Sequence, residues 1–535
     1  MAQRDWRYVD TEYIEPKRVK IPQPQRISVS QEGMVSTAHY LATQVGARIL
    51  ESGGNAIDAA VAAAFALGVC EPQASGLGGQ TMMLVYLFEQ EKLFVLDGSS
   101  RAPNRAFEEN FNDRRNRRYG LTATTVPSTP AVLDYVLERY GTLKLEEILS
   151  PSIELAEKGY PITELQAKLQ KRELKNFAKG NAGQIFLRDN KKPFSIGHLF
   201  SQPVLADTLR RLAKEGAEDF YLGAIARAIS DDMEANGGLI RMDDLAKIPY
   251  PIEREPVSGR LGNMMVYTMP PPGAGRTLIE MINIIKKFSP PDRNPDKPEG
   301  ALLLTETIRR AQLDRRDRPF DPNFFPQVQD QRMLSNDYAK LVSKQIQSRI
   351  KSGGETTHVS TMDKYGNVVS LTQSIERIYG AKVITPSLGF LYNNYMNAFE
   401  YDDITHPYYM RPNGVPWASV APTIILRDNK PWMSIGSPGS ERIASAILQV
   451  LLRLNYQSPF DAVAAPRIHC SYDGKVSLEA AYMRDDIPIE LSSRGFKVDV
   501  REPMSFYLGC IQMVLREGDD FIGVADPRRD GSAAG

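Results

Sequence analysis

Between residues 36 and 52 the apolar positions Tyr40, Leu41, Val45 and Ile49 recur at helical spacing, and Gly53-Gly54 halts the pattern. Asn55-Ala56-Ile57-Asp58 has the residues of an N-terminal cap for a second helix over 56–69. That helix is almost wholly Ala, Val, Phe and Leu. A helix apolar on every side belongs in the interior. Gly76-Leu77-Gly78-Gly79 then predicts a turn into a strand at 82–88, with a second at 93–96. Residues 130–250 read mainly as helices. A rigid turn at Pro270-Pro271-Pro272-Gly273-Ala274-Gly275 precedes a helix over 277–287, and further helical patterns cover 299–316 and 337–351. From residue 357 onward the texture changes to strands, at 357–363, 368–374, 421–427, 432–436, 475–479, 509–515 and 521–525. Strands flanked by helical layers on both sides predict an α/β sandwich. Residues 1–30, with Pro16, Pro22 and Pro24 among polar neighbours, read as an extended lead-in.

Length alone, 535 residues, would suggest three or four domains. The 65 Lys+Arg and 65 Asp+Glu residues balance, which argues against nucleic acid or an anionic membrane as partner. Local basic runs, Arg114-Arg115-Asn116-Arg117-Arg118 and Arg309-Arg310 with Arg315-Arg316, read as solvated faces. Three cysteines (Cys70, Cys470, Cys510) make no disulfide framework, and Cys70 reads as a small buried hydrophobe. Five histidines without paired spacing predict no metal site. Residues 1–25 lack the apolar core of a secretory signal, and no window has 18 uninterrupted apolar residues. The cytoplasm is the expected compartment. No cofactor is expected.

The chemistry gathers where the texture changes, at Glu355-Thr356-Thr357-His358-Val359-Ser360. An ordinary strand start is the plain reading of these six residues. A cut before Thr356, however, would give that residue a free α-amine beside its own hydroxyl, so nucleophile and general base would share one residue. The amine suits the task, because its reference pKa of about 7.7–8.0 lies near working pH. Lys364-Tyr365-Gly366-Asn367 reads as the turn of a β-hairpin. If Asp363 faces Asn367, Thr356 lies opposite Ser374; a two-residue loop would bring Ile375 there instead. Gly436-Ser437-Pro438-Gly439-Ser440, between a strand and a helix over 443–452, can present backbone N–H groups to an oxyanion. Gly273-Ala274-Gly275-Arg276-Thr277 is not a phosphate loop, since Pro270 replaces the first Gly and Arg276 the Lys.

Over nearly its whole length the chain resembles the γ-glutamyltranspeptidase family. The resemblance rests on Met34–Ala38, Gly53-Gly54-Asn55-Ala56-Ile57-Asp58-Ala59-Ala60, Glu71-Pro72 through Gly79, and Met269-Pro270-Pro271-Pro272. It continues through Thr356-Thr357-His358 to Gly366-Asn367, Gly389-Phe390-Leu391-Tyr392-Asn393-Asn394, and Ala421-Pro422-Thr423. Gly436-Ser437-Pro438-Gly439 and Asp526-Pro527-Arg528-Arg529 complete the set, in the family's order. The resemblance implies an N-terminal-nucleophile hydrolase: an αββα sandwich with an additional, mainly helical region. It implies a precursor cut between Glu355 and Thr356. The large subunit (31–355) and the small subunit (356–535) would stay associated as one catalytic unit, compatible with a homo-oligomer of such heterodimers. Thr356 would attack a small amide, γ-glutamyl or related, as in glutathione metabolism, and the acyl-enzyme would be released to water or an amine. Ser374 would support the nucleophile, while Gly439 and Ser440 would supply the oxyanion donors.

The pocket departs from the family. Its carboxylate-binding Arg is Ser99 here, with Arg101 two residues on as the candidate fork. Its Asn, Gln and Asp contacts to the α-amine are Glu376, Tyr395 and Ala398. Of its paired serines only Ser419 remains, beside Ala418 and Trp417, and the covering stretch 401–413 is shorter. The substrate-binding set read from sequence is therefore Arg101, Glu376, Tyr395 and Ser419. A non-glutamyl acyl amide is the enzymatic alternative, and a catalytically silent scaffold is the alternative of another class.

Overall fold

Two seven-stranded antiparallel sheets lie face to face, in a computed structural model that describes residues 19–247, 251–317 and 356–535. The first sheet runs, edge to edge, through Ser532–Ala534, Gly33–Thr37, Thr357–Asp363, Val368–Ser374, Gln80–Leu87, Lys92–Gly98 and Ile252–Arg254. The second runs through Ile27–Ser30, Asp520–Ala525, Gln512–Glu517, Lys430–Gly436, Thr423–Arg427, Met264–Thr268 and Val257–Leu261. The helices Tyr40–Glu51 and Ala56–Cys70 cover the outer side of the first sheet, and Gly275–Ile285 and Arg442–Arg453 that of the second. This is the αββα sandwich. The additional helices, among them Thr129–Tyr140, Glu164–Phe177 and Pro203–Glu215, build outward from the first helical layer.

The helix Ala56–Cys70 forms where the sequence places it. Asn55 Oδ1 accepts from the Ile57 and Asp58 amides, and Asp58 Oδ2 accepts from the Asn55 amide, a reciprocal cap worth about 1 kcal/mol. Every residue of it but Gly68 is buried, as expected of an all-apolar helix in the middle of the molecule. The 36–52 pattern divides differently. Its first residues belong to the strand Gly33–Thr37, fully buried beside Thr357–Asp363, and the helix starts only at Tyr40. A run buried on both sides shows no alternation, so periodicity could not separate strand from helix there. The strands at 252–254, 257–261 and 264–268, and the short strands at both ends of the chain, also went unread. The helix expected over 337–351 lies outside the described residues.

Buried ion pairs tie the C-terminal block to the sandwich. Arg467 and Arg528 bracket Asp526 at 2.5 and 3.1 Å, Arg528 reaches Glu479 at 2.5 Å, and Arg529 holds Glu71 at 2.8 Å. Glu71 in turn accepts from the Thr357 hydroxyl at 2.5 Å. Residues 71, 357 and 529 meet although they come from three distant parts of the chain.

Candidate active site

The hairpin closes in the three-residue form. Asp363 N–H donates to Asn367 O at 3.2 Å, and Gly366 takes a φ of +94°, which favours glycine. Thr357 therefore pairs with Gln373 and His358 with Thr372, and the same register sets Thr356 opposite Ser374. Side chains alternate along the strand. Thr357 points outward to Glu71, so Thr356, His358 and Ser360 face the second sheet. Thr356 is 3% exposed and Ser374 is 1% exposed. Glu355 lies outside the described residues.

Behind Thr356 the two sheets meet through polar groups. His358 Nδ1 lies 2.8 Å from Thr372 Oγ1, and its Nε2 lies 3.1 Å from Ser360 Oγ. Ser434 Oγ donates to Ser360 Oγ at 2.9 Å. Burial pushes the His358 imidazole down to about 3, so it is neutral at physiological pH and acts as a hydrogen-bonding spacer. Gly436 sits directly over that ring: a Cβ at this position would come within 2.2 Å of His358 Cε1. Gly436→Ala is accordingly expected to destabilise the fold by about 1–3 kcal/mol, because both sheets would have to part. Urea unfolding measures this, and an unchanged midpoint would contradict it.

Successive steps along Lys430–Gly436 lie over Ser360 and then His358, so the turn that follows is carried over Thr356. Gly439 (φ +120°) and Ser440 (φ +54°) bend it sharply, and neither amide N–H donates to any other described residue. Ser440 Oγ reaches Ser419 Oγ at 3.4 Å. On the other side, Gly79 lets the backbone approach Ser374, whose carbonyl oxygen would be 2.6 Å from a Cβ there. Ser374 Oγ accepts from the Glu376 amide at 2.9 Å. A buried Thr356, the Ser374 hydroxyl on the facing strand and the turn at Gly439 and Ser440 have the layout that an acyl-transfer site requires.

A cleft of about 430 Å³ adjoins this point through Ser440 and Glu376, lined also by Ser419, Ala398, Trp417 and His406; Thr356 and Ser374 themselves are not in its lining. Three arginines also line it: Arg118, Arg315 and Arg377. Two of these correct the reading of the basic runs as solvated faces. Arg315 continues the buried stripe Ala301, Leu304, Ile308, Ala311 of the helix Pro298–Asp317, and that spacing was legible. Its Nη2 donates to Ala418 O at 2.9 Å and reaches Ser419 Oγ at 3.4 Å. Burial pushes the Arg315 guanidinium down, against the opposing pull of Glu441, Tyr408 and Glu376. Arg118 donates to Asn397 Oδ1 at 3.0 Å. No pattern pointed to Arg118 or Arg377.

Of the four expected substrate contacts, Glu376 and Ser419 line the cleft. Tyr395 does not: it is 1% exposed, its hydroxyl lies beside Ser374 and Gln80, and burial pushes its pKa upward. Arg101 is half-buried at an isolated bridge to Val126 and is not part of this lining. Ser99, at the position where the carboxylate-binding Arg was expected, donates to Asp97 at 2.5 Å. Among the described residues no group of His, Cys, Asp and Glu side chains can hold a metal ion.

The sandwich and the hydroxyl residue heading an inner strand define an N-terminal-nucleophile hydrolase. Comparison with known proteins agrees: a family model described as gamma-glutamyltranspeptidase matches residues 42–535. The chain belongs to the γ-glutamyltranspeptidase family. It is 32% identical to the glutathione hydrolase proenzyme of Bacillus subtilis strain 168, over 96% of this chain and 92% of that protein. It is 35% identical to the acylase ACY 1 proenzyme of Pseudomonas sp. strain SE83, over 88% of each. Its structure matches a cephalosporin acylase from Bacillus halodurans with a TM-score of 0.88 and 29% identity, covering 97% of this chain and 99% of that one.

Proposed function

We propose that the chain is a self-processing amidase that cuts its own 355–356 bond and then hydrolyses or transfers a small acyl group bearing a carboxylate. The observation that supports this is the position of Thr356, buried at the head of an inner strand and opposite Ser374 in the hairpin register. In the precursor the Thr356 hydroxyl attacks the Glu355 carbonyl, the acyl group moves from nitrogen to oxygen, and water releases it. The freed α-amine then takes the hydroxyl proton as Thr356 attacks the substrate's amide carbon. Gly439 and Ser440 N–H groups receive the oxyanion, each donor worth about 2.7–4 kcal/mol in the transition state. Collapse expels the amine, which carries away the proton, and water or a second amine resolves the ester. The relatives named glutathione hydrolase and acylase support this reaction class.

Arg118, Arg315 and Arg377 line the cleft together with Glu376, Glu400 and Glu441, a mixed set that suits an acyl group carrying both a carboxylate and an ammonium, as γ-glutamyl does. A dicarboxylic acyl group without the amine would use the arginines alone. Glu376→Gln separates the two. It is expected to raise KM for a γ-glutamyl anilide about tenfold, the weight of one charge-assisted contact, and to leave a glutaryl anilide unchanged. Equal losses on both anilides would remove Glu376 from amine recognition. The processing step is tested on a denaturing gel with N-terminal sequencing: a fragment beginning at Thr356 is expected, and a single uncut chain would refute self-cleavage.

A further inference from the structure

We propose that a second cleft, walled by the helix Glu164–Phe177 and the segment 501–507, is a binding site for a small organic anion with a flat apolar body. It encloses about 420 Å³ and shares a single lining residue, Arg377, with the catalytic cleft. Its lining carries six cations and only two carboxylates. Both carboxylates are already engaged: Glu173 lies 3.4 Å from both Arg172 and Lys382, and Glu502 lies 3.8 Å from Lys168. Arg377, Arg442 and Arg501 complete the six; Arg501 pairs at 2.5 Å with Asp499, which Lys475 shares at 2.7 Å, and Arg442 Nε donates to Tyr507 O at 2.9 Å.

The geometry of these cations points to a ligand. Arg377 Nε is buried and has no hydrogen-bond partner among the described residues, a costly state for a guanidinium unless an acceptor arrives. Arg442 and Arg501 both stack on the Tyr507 ring, at 4.3 and 4.0 Å from its centroid. Two like charges on one ring repel each other, and an oxyanion in the cleft that both line offsets that repulsion. Lys382 is 2% exposed and burial pushes its ammonium down to about 8; a nearby anion would favour its charged form. Leu165, Leu169, Ile378 and Phe506 complete the walls, so the body of the ligand meets carbon. A hydrated inorganic ion would leave this apolar area wet, whereas a planar aromatic group would cover it.

The test uses the full chain and titration calorimetry with 1-naphthyl phosphate, 1-naphthoate and inorganic phosphate. Saturable binding of at least one naphthyl anion is expected, tighter than that of inorganic phosphate. Comparing the two naphthyl probes separates phosphate from carboxylate recognition. The double variant Arg172→Gln/Arg501→Gln is expected to weaken this binding about tenfold or more with the thermal midpoint unchanged, whereas Arg118→Gln in the catalytic cleft leaves it intact. Should the double variant fold poorly, Arg172→Gln alone removes a guanidinium whose side chain is 55% exposed and reads the same loss. Loss of binding in Arg118→Gln but not in the Arg172 variants, or no saturation by either naphthyl probe below about 1 mM, overturns the proposal.

Discussion

Thr356→Ala is expected to yield a single uncut chain of 59.8 kDa and to lower amide turnover by about 10⁴-fold or more. The loss is this large because one side chain supplies the attacking oxygen for both the self-cleavage and the catalytic cycle, and without the cut no α-amine exists to act as base. Thr356→Ser, which keeps the oxygen and drops a methyl group, is expected to retain the cut and part of the turnover. Gel analysis of both variants with mass spectrometry of the products decides it. A Thr356→Ala chain still split at 355–356 would mean that the bond is cut from outside.

The second large effect concerns stability. Glu71 links Arg529 to the Thr357 hydroxyl, and both Glu71 and Arg529 side chains are 1% exposed. Glu71→Leu strips the buried Arg529 of this carboxylate and is expected to cost about 3–5 kcal/mol in urea unfolding. Because Thr357 loses its anchor one residue from the nucleophile, the cut at Thr356 should slow as well. The double variant Glu71→Leu/Arg529→Leu removes both charges and should recover much of the loss. A double variant no more stable than Glu71→Leu would show that packing at this point, and not the ion pair, is what counts.

Much of this molecule was legible along the chain, and the reasons are local. Asn55 and Asp58 cap a helix through their own neighbours. Gly366 closes a three-residue turn, and that turn alone decides which residue faces Thr356. The hairpin was legible, but the sequence left Ser374 and Ile375 both open opposite Thr356, and the observed three-residue turn chose Ser374. Strand 33–37 escaped because both its faces are buried, so Gly33-Met34-Val35-Ser36-Thr37 shows no alternation of apolar and polar positions. Arg315 was misread although its place on a buried helical stripe was visible, because a charged residue was assigned to solvent without that check.

The sequence by itself singled out Thr356 as the candidate nucleophile, the Gly436–Ser440 turn and the family, since each depends on residues close together or on blocks in a recognisable order. Only the tertiary structure decided what surrounds them. Tyr395 turned out to lie buried beside Ser374 and Gln80, Arg118 and Arg377 to join the cleft, and Gly436 to rest on His358. These placements depend on where separate elements cross, and an arginine brought to a cleft by packing has the same local pattern as one left in water. The chemistry at Thr356 was written locally; the pocket that selects its substrate was assembled from afar.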